Sequence, residues 1–295
     1  MTKPTLSIVG AGRLGTALAH GATAAGYSVR AVFSRHFEHA QRLANVLPSS
    51  RAVATIEEVV SAELIILSVP DDEIEYVCKS GPWQPGSSIV HCSGALSMDV
   101  LASAAERGAK TGSIHPLQTF AGGGDPVARM ADIAYALEAS DDSLHDMLDT
   151  FVHALGGRPQ WIRSEDKPLY HASAAMASNY LVALLGDASK LWESFGVSRD
   201  QGLHALLPLV KGTMDNLRGI GFPDALTGPI ARGDVETVGI HLQALSQSQP
   251  DILPSYVAMG KRTIALALEK GTIDPAAAAT LRKLLDTAAN AEAAS

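Results

Sequence analysis

The chain has 295 residues, 46% hydrophobic and 18% charged, with a formal net charge of −8. That length supports one large domain or two ordinary ones, and the mix excludes a disordered or fibrous chain as the main state. The acidic balance and the 5% aromatic content argue against nucleic acid as a partner, because phosphate backbones would be repelled and stacking platforms are scarce. Cys78 and Cys92 lack C-x-x-C spacing, so neither a disulfide framework nor a zinc site is expected, and a reducing cytoplasm is the expected setting. The best candidate for an apolar leader or span, Leu6 to Ala19, is interrupted by Arg13 and by glycines. A soluble chain without export signal or membrane partner is therefore expected.

From Thr5 to about Ile162, short β-branched runs alternate with helix-compatible stretches. This pattern predicts an α/β domain with a parallel sheet covered by helices on both faces. Strands are predicted at Leu6–Val9, Ser28–Phe33, Ala52–Ala54, Leu64–Val69, Ser88–His91, Gly112–Ile114, Ala134–Leu137 and Gln160–Ile162. Amphipathic helices are predicted at His36–Val46 and Asp141–Leu155, the latter with Ser140 as N-cap and Asp141 and Asp142 in its first turn.

After Arg163 the alternation gives way to Ala- and Leu-rich segments with helical spacing. The division is placed there, with residues 1–163 forming the sheet domain and 164–295 an all-helical substrate or dimerisation domain. Helices are expected at Asp166–Phe195, Arg199–Arg218, Asp234–Ser246, Asp251–Glu269 and Pro275–Ala291. The first is too apolar to stand alone in water. Its Met176, Tyr180, Leu181, Leu184, Leu185 and Leu191 must be covered by other helices or by a second subunit.

Gly10-Ala11-Gly12-Arg13-Leu14-Gly15 follows the first strand and opens a helical run. Gly10 permits the tight turn, Gly12 lets backbone approach a pyrophosphate, and Gly15 lets helix and strand pack closely. The helix N-terminus adds N–H donors and a positive dipole end. The second strand ends in Ser34-Arg35 rather than in the acidic residue that would bind a ribose 2′-OH. NADP is therefore expected rather than NAD, unless Arg35 is only a solvated charge.

Ligands of open α/β sheets sit at the carboxyl ends of the strands. Those ends carry Ser68-Val69-Pro70, His91-Cys92-Ser93-Gly94 and His115-Pro116-Leu117-Gln118. His91, Cys92 and His115 match no short metal motif, so no metal is expected. Further on, Lys167, His171 and Ser178 share one helical stripe, with Ala174 and Ala175 close by and Asn179 on its flank. Hydride transfer to C=O or C=N needs a proton donor, and His171 or Lys167 could serve. The alternative is a surface Lys167 and a satisfied core His171. Arg232, before a later helix, could clamp a carboxylate or simply be solvated.

Taken together, the Gly10–Gly15 turn, Ser34-Arg35, Ser68–Asp71, Ser93-Gly94, His115–Gln118 and Lys167–Leu185 resemble two-domain Rossmann-like proteins whose C-terminal helical domain is a domain of unknown function. The resemblance spans essentially the whole chain. More broadly, the chain is similar to the superfamily of 6-phosphogluconate dehydrogenase, 3-hydroxyisobutyrate dehydrogenase, ketopantoate reductase and pyrroline-5-carboxylate reductase. This implies a Rossmann doubly wound sheet followed by an all-α domain like the C-terminal domain of 6-phosphogluconate dehydrogenase. It also implies an NADP-dependent reductase, homodimeric through its helical domain. The β-hydroxyacid dehydrogenases carry a catalytic Lys followed by Asn one turn later, where this chain has Lys167 and His171; pyrroline-5-carboxylate reductases carry a Ser/Gly-rich segment where it has Met176–Asn179. No substrate therefore transfers. The expected function is an NADP-dependent oxidoreductase acting on a small carbonyl or imine, a cyclic imine being the second choice. Lys167 or His171 would be the proton donor, and Ser93, His115, Ser178 and Asn179 would position substrate. A non-catalytic NADP(H) sensor is the alternative.

Overall fold

The computed structural model describes residues 3–121 and 124–293. It divides into two compact units, Met1–Ser178 and Asn179–Ser295.

The first unit alternates β1 (Leu6–Val9), α1 (Arg13–Ala24), β2 (Val29–Phe33), α2 (Phe37–Ala44), β3 (Arg51–Val53), β4 (Leu64–Leu67), α3 (Asp71–Ser80), β5 (Ser88–His91), α4 (Ala102–Ala105), β6 (Lys110–Pro116), β7 (Ala134–Ala139), α5 (Asp142–Ala154), β8 (Arg158–Trp161) and α6 (Lys167–Ala177). The strands form one sheet in the order β3-β2-β1-β4-β5-β6-β7-β8. The first six run parallel, as the alternation predicts. β7 is antiparallel to β6, pairing Ser113 with Glu138 and His115 with Ala136, and β8 runs parallel to β7. The last two strands thus depart from a wholly parallel sheet.

Period-two alternation splits the strand residues between two cores. Leu6, Ile8, Leu64 and Ile66 pack with α1, α2 and α5, while Val9, Ile65, Leu67 and Ile89 pack with α3 and α4. Both faces are dry, which is why the strands read as nearly continuous apolar runs. The cap of α5 is Asp141, whose carboxylate accepts from the Leu144 N–H at 2.8 Å, not Ser140. The Ser140 hydroxyl is taken by the Thr111 N–H across the sheet edge.

The second unit contains α7 (Asn179–Lys190), α8 (Arg199–Ile220), α9 (Val235–Ser248), α10 (Leu253–Lys270) and α11 (Pro275–Ala293). Its core is built by α9, α10 and α11 around Val238, Leu242, Ile264, Leu281 and Leu285. The helix expected at Asp166–Phe195 is not continuous. It breaks at Ser178, whose backbone (φ −115°, ψ −71°) ends α6. Ser178 and Asn179 are short polar residues that offer the backbone competing hydrogen bonds, so the break falls where helix propensity is weakest. Met176, Tyr180 and Leu184, expected to be covered, are exposed, whereas Leu181, Leu185 and Leu191 are half-buried. Among the described residues, no helix is long and apolar enough to cross a membrane.

Candidate functional site

The turn after β1 is shaped by contacts that only glycine allows. Gly10 has φ +106°, and a Cβ there would lie 2.6 Å from the Ser68 carbonyl oxygen. A Cβ on Gly15 would lie 2.0 Å from the Gly10 carbonyl oxygen and 2.4 Å from Ser68 Oγ. Ser68 completes the lock by donating its hydroxyl to the Gly10 carbonyl at 2.8 Å. Gly12 is different, since a Cβ there would meet nothing within 4 Å. It is also the N-cap of α1 and supplies no side-chain acceptor to the first turn, so the opening N–H groups of α1 have no capping side chain. Unsatisfied donors at a positive helix end, with room above them, fit a phosphate.

Ser34 and Arg35 follow β2 directly. The Arg35 guanidinium is exposed and pairs with Glu73 of α3 at 3.2 Å. Val69 is half-buried and Pro70 is exposed, leading straight into α3. Ser34, Arg35 and Ser68–Pro70 therefore stand at the same sheet edge as the glycine turn, where the adjacent strands β2, β1 and β4 end.

Lys167 is the most enclosed charge of this unit, with 1% exposure. Its ammonium donates to Glu138 Oε2 at 2.8 Å, Ser113 Oγ at 2.9 Å and the Ser93 carbonyl at 3.2 Å. All three N–H bonds are used. Burial pulls its pKa below the usual lysine value, against the opposing pull of Glu138. Burial pushes the Glu138 carboxyl up, but hydrogen bonds from Lys167, Ser113 and Ser164 outweigh it and hold the group below the usual carboxylate range. Ser93 is equally committed. Its hydroxyl donates to Asp71 at 2.7 Å and accepts from the Ala95 and Leu96 N–H groups.

Three rings gather above this network. His115 Nδ1 and the Tyr170 hydroxyl are 2.7 Å apart, and the His115 and His171 rings meet edge to face with centroids 6.3 Å apart. Gly94 packs beneath them, and a Cβ on it would stand 2.9 Å from His115 Nε2 and from His171 Cδ2. Burial, reinforced by His171 and Lys167, lowers the His115 pKa to about 4, so the ring is neutral near pH 7. Burial pushes Tyr170 up to about 12 and keeps its proton.

The structure thus brings Ser93, His115, Lys167 and His171 together around Gly94. Ser178 closes α6 at the exposed end of the same unit, and Asn179 opens the second unit. Sequence reasoning missed Tyr170, Glu138 and Ser113 as parts of the site. A lone glutamate inside the apolar run Ala134–Ala139 was the available signal. His91, weighed for metal, has both ring nitrogens occupied, by the Ser93 N–H at 3.1 Å and the Ser97 carbonyl at 3.2 Å. Among the described residues, no three His, Cys, Asp or Glu side chains cluster as metal ligands do. Arg232 lies 3.9 Å from Asp234, close to the start of α9.

The fold is similar to that of a Bacteroides fragilis protein provisionally assigned as an NADP oxidoreductase, 24% identical, over 89% of this chain and 98% of that one, with a TM-score of 0.70. It is also similar to a reductive aminase from Aspergillus terreus in complex with NADPH and ethyl-5-oxohexanoate (20% identity, 98% and 94% coverage, TM-score 0.62). A third similar structure is 1-pyrroline-5-carboxylate reductase from Streptococcus pyogenes (17% identity, 90% and 98% coverage, TM-score 0.63). At these identities the likeness is one of fold. No curated protein matches the sequence. The profile of the Rossmann-like domain matches residues 2–116 and that of DUF2520, a domain of unknown function, matches residues 133–263. The chain therefore carries a Rossmann-like domain followed by a DUF2520 domain.

Proposed function

We propose that the protein is an NADP-dependent oxidoreductase that reduces, or in reverse forms, a small carbonyl or imine. The observation that carries this reading is the coexistence, on one sheet edge, of a glycine turn with open N–H donors and a cluster of three proton-bearing rings. Gly10 to Gly15 would hold the pyrophosphate, Ser34 and Arg35 the 2′-phosphate, and Ser68, Val69 and Pro70 the middle of the dinucleotide. When bound, the nicotinamide supplies or accepts the hydride.

The chain's own residues handle the proton and the substrate. Tyr170, held protonated, donates to His115 Nδ1 and so places the imidazole proton on Nε2, beside Gly94. A neutral imidazole in that tautomer is a hydrogen-bond donor to a carbonyl oxygen or imine nitrogen. His171, next to it and exposed, exchanges the proton with water. Lys167 has no N–H left to give, so its part is to fix the Ser93 carbonyl and the first turn of α6, which carries Tyr170 and His171. Ser178 and Asn179 remain candidates for contacts with substrate.

The test is NADPH binding followed by oxidation of NADPH in the presence of keto acids, aldehydes and linear and cyclic imines. Turnover with one of these classes that falls about a hundredfold in His171→Ala is the expected result. NADPH binding without turnover in any class would favour the sensor reading. Failure to bind either nicotinamide cofactor would overturn both.

A further inference from the structure

Beside the glycine turn, α1, α2 and the residues Phe120, Gly124, Pro126 and Arg129 line an open cleft of about 570 Å³. That is within the range of small-molecule sites, roughly 300–1,000 Å³. Its walls carry Arg13 and His20 from α1, His39 and Arg42 from α2, and Arg129, whose guanidinium braces the opposite wall on the Ala121 carbonyl at 2.9 Å. None of the described residues lining it is acidic. Asp125, the carboxylate nearest in sequence to that wall, is turned to the Val127 N–H at 2.9 Å. Among the described residues, Arg13, His20, His39 and Arg42 make no ion pair, although the chain as a whole carries an excess of acids. The floor is apolar and is made by Ala17, Leu43, Val46 and Phe120.

Two guanidinium groups without ion-pair partners, Arg13 and Arg42, flanked by the hydrogen-bonding rings of His20 and His39 over an apolar floor, select for an organic anion. The cleft shares Ala11, Gly12 and Arg13 with the phosphate turn, yet none of Ser34, Arg35, Ser68, Val69, Pro70, Ser93 or His115 lines it. It runs along α1 as far as His20 and along α2 to Leu43, with Val46 just past the end of α2. We propose that this cleft is a second ligand site, separate from the dinucleotide track, for a small phosphorylated molecule with an apolar or aromatic body. Its phosphate would sit between Arg42 and His20, and its body on Leu43 and Phe120. Arg13, at the junction, would couple occupancy of the cleft to the phosphate turn.

Phenyl phosphate is a suitable probe, titrated calorimetrically into the full-length protein saturated with NADPH. The expected result is one binding site that weakens at least tenfold in Arg42→Ala and in His20→Ala, while the NADPH dissociation constant of each variant stays within twofold of the native value. Absence of binding to the NADPH-saturated protein, with binding restored in its absence, would place the anion in the dinucleotide track and overturn the proposal. No binding in either state, or binding indifferent to both substitutions, would overturn it as well. If neither nicotinamide cofactor binds, the same titration run without cofactor still tests the cleft through Arg42 and His20.

Discussion

Lys167 Nζ sits 2.8 Å from Glu138 Oε2, with side chains only 1% and 4% exposed. A pair shut away from water adds little net stability, yet removing one partner strands the other charge, at a cost of about 3–5 kcal/mol. Glu138→Gln and Lys167→Met should therefore each lower the free energy of urea unfolding by about that amount. Lys167→Met combined with Glu138→Leu should recover much of it. A single substitution costing under about 1 kcal/mol would mean that the pair is hydrated in solution.

The glycine turn separates packing from ligand binding. Gly12→Ala introduces a methyl with no neighbour within 4 Å, so thermal stability should stay close to native. NADPH affinity should nevertheless fall about tenfold or more, near 1.4 kcal/mol, because the methyl occupies the space above the helix N-terminus. Gly15→Ala drives a methyl onto the Gly10 carbonyl and should lose stability and binding together. Unchanged NADPH affinity in Gly12→Ala, by fluorescence titration, would argue that the turn binds no dinucleotide.

Gly94 offers a way to disturb the rings without deleting a functional group. Gly94→Ala should reduce turnover by about tenfold or more through displacement of His115 and His171, with cofactor affinity nearly native. Tyr170→Phe should act at the same step by freeing the His115 tautomer, and its effect should appear in kcat rather than in NADPH binding. Native kcat in both variants would remove the rings from the chemistry.

Two buried imidazoles set an acid limit on stability. Burial, helped by the charge of Lys167, brings His91 down to about 4, and His115 lies at about 4 as well. Their folded pKa values are below the unfolded value of 6.5. As pH falls from 6.5 the unfolded chain takes up protons that the folded rings refuse, and stability is lost until pH reaches about 4. The loss should approach about 3 kcal/mol per histidine over that window. Glu138, held below its usual value, contributes stability that is fully present only above the ordinary carboxylate range and is lost on further acidification. Urea midpoints at pH 7 and pH 5 check this, and equal midpoints would contradict it.

Arg35 is exposed and paired with Glu73, so Arg35→Ala should change stability by less than about 0.5 kcal/mol. The preference of the native protein for NADPH over NADH should narrow. Equal affinity of the native protein for the two cofactors would refute the reading of Ser34 and Arg35.

On α7 and α8, Tyr180, Val182, Leu207 and Leu209 are large hydrophobic side chains left exposed. We propose that a second copy covers them. Sedimentation should give twice the mass of 30.8 kDa, and Val182→Glu together with Leu209→Glu should shift the native protein to monomer. A monomeric native protein would rule this out.

The sheet and its phosphate turn were legible because apolar strands, buried on both faces, stand out against Gly10, Gly12 and Gly15. The break at Ser178 was marked only by two polar residues, Ser178 and Asn179, inside an apolar run whose helical spacing continues on both sides. Glu138 was the hardest residue to read. A charge in a strand gains meaning only from its partner, and Lys167 lies beyond a helix and a further strand. The role of Tyr170 is likewise not legible in the sequence, since it depends on His115, which reaches it through the fold and not through spacing.

The antiparallel seam between β6 and β7 falls where the two sequence profiles join. Residues matching the Rossmann-like profile end at β6, and those matching DUF2520 begin at β7. The two segments therefore meet inside a single sheet, and the Lys167 ammonium of the second is solvated by Ser93 and Ser113 of the first. The Lys167–Glu138 pair itself lies within the second segment, but parting the two segments would take away two of the three acceptors of the buried ammonium. Cutting the chain between β6 and β7 would also bare the edge of β6 that β7 now pairs, so neither segment is expected to hold its fold as a separate cassette.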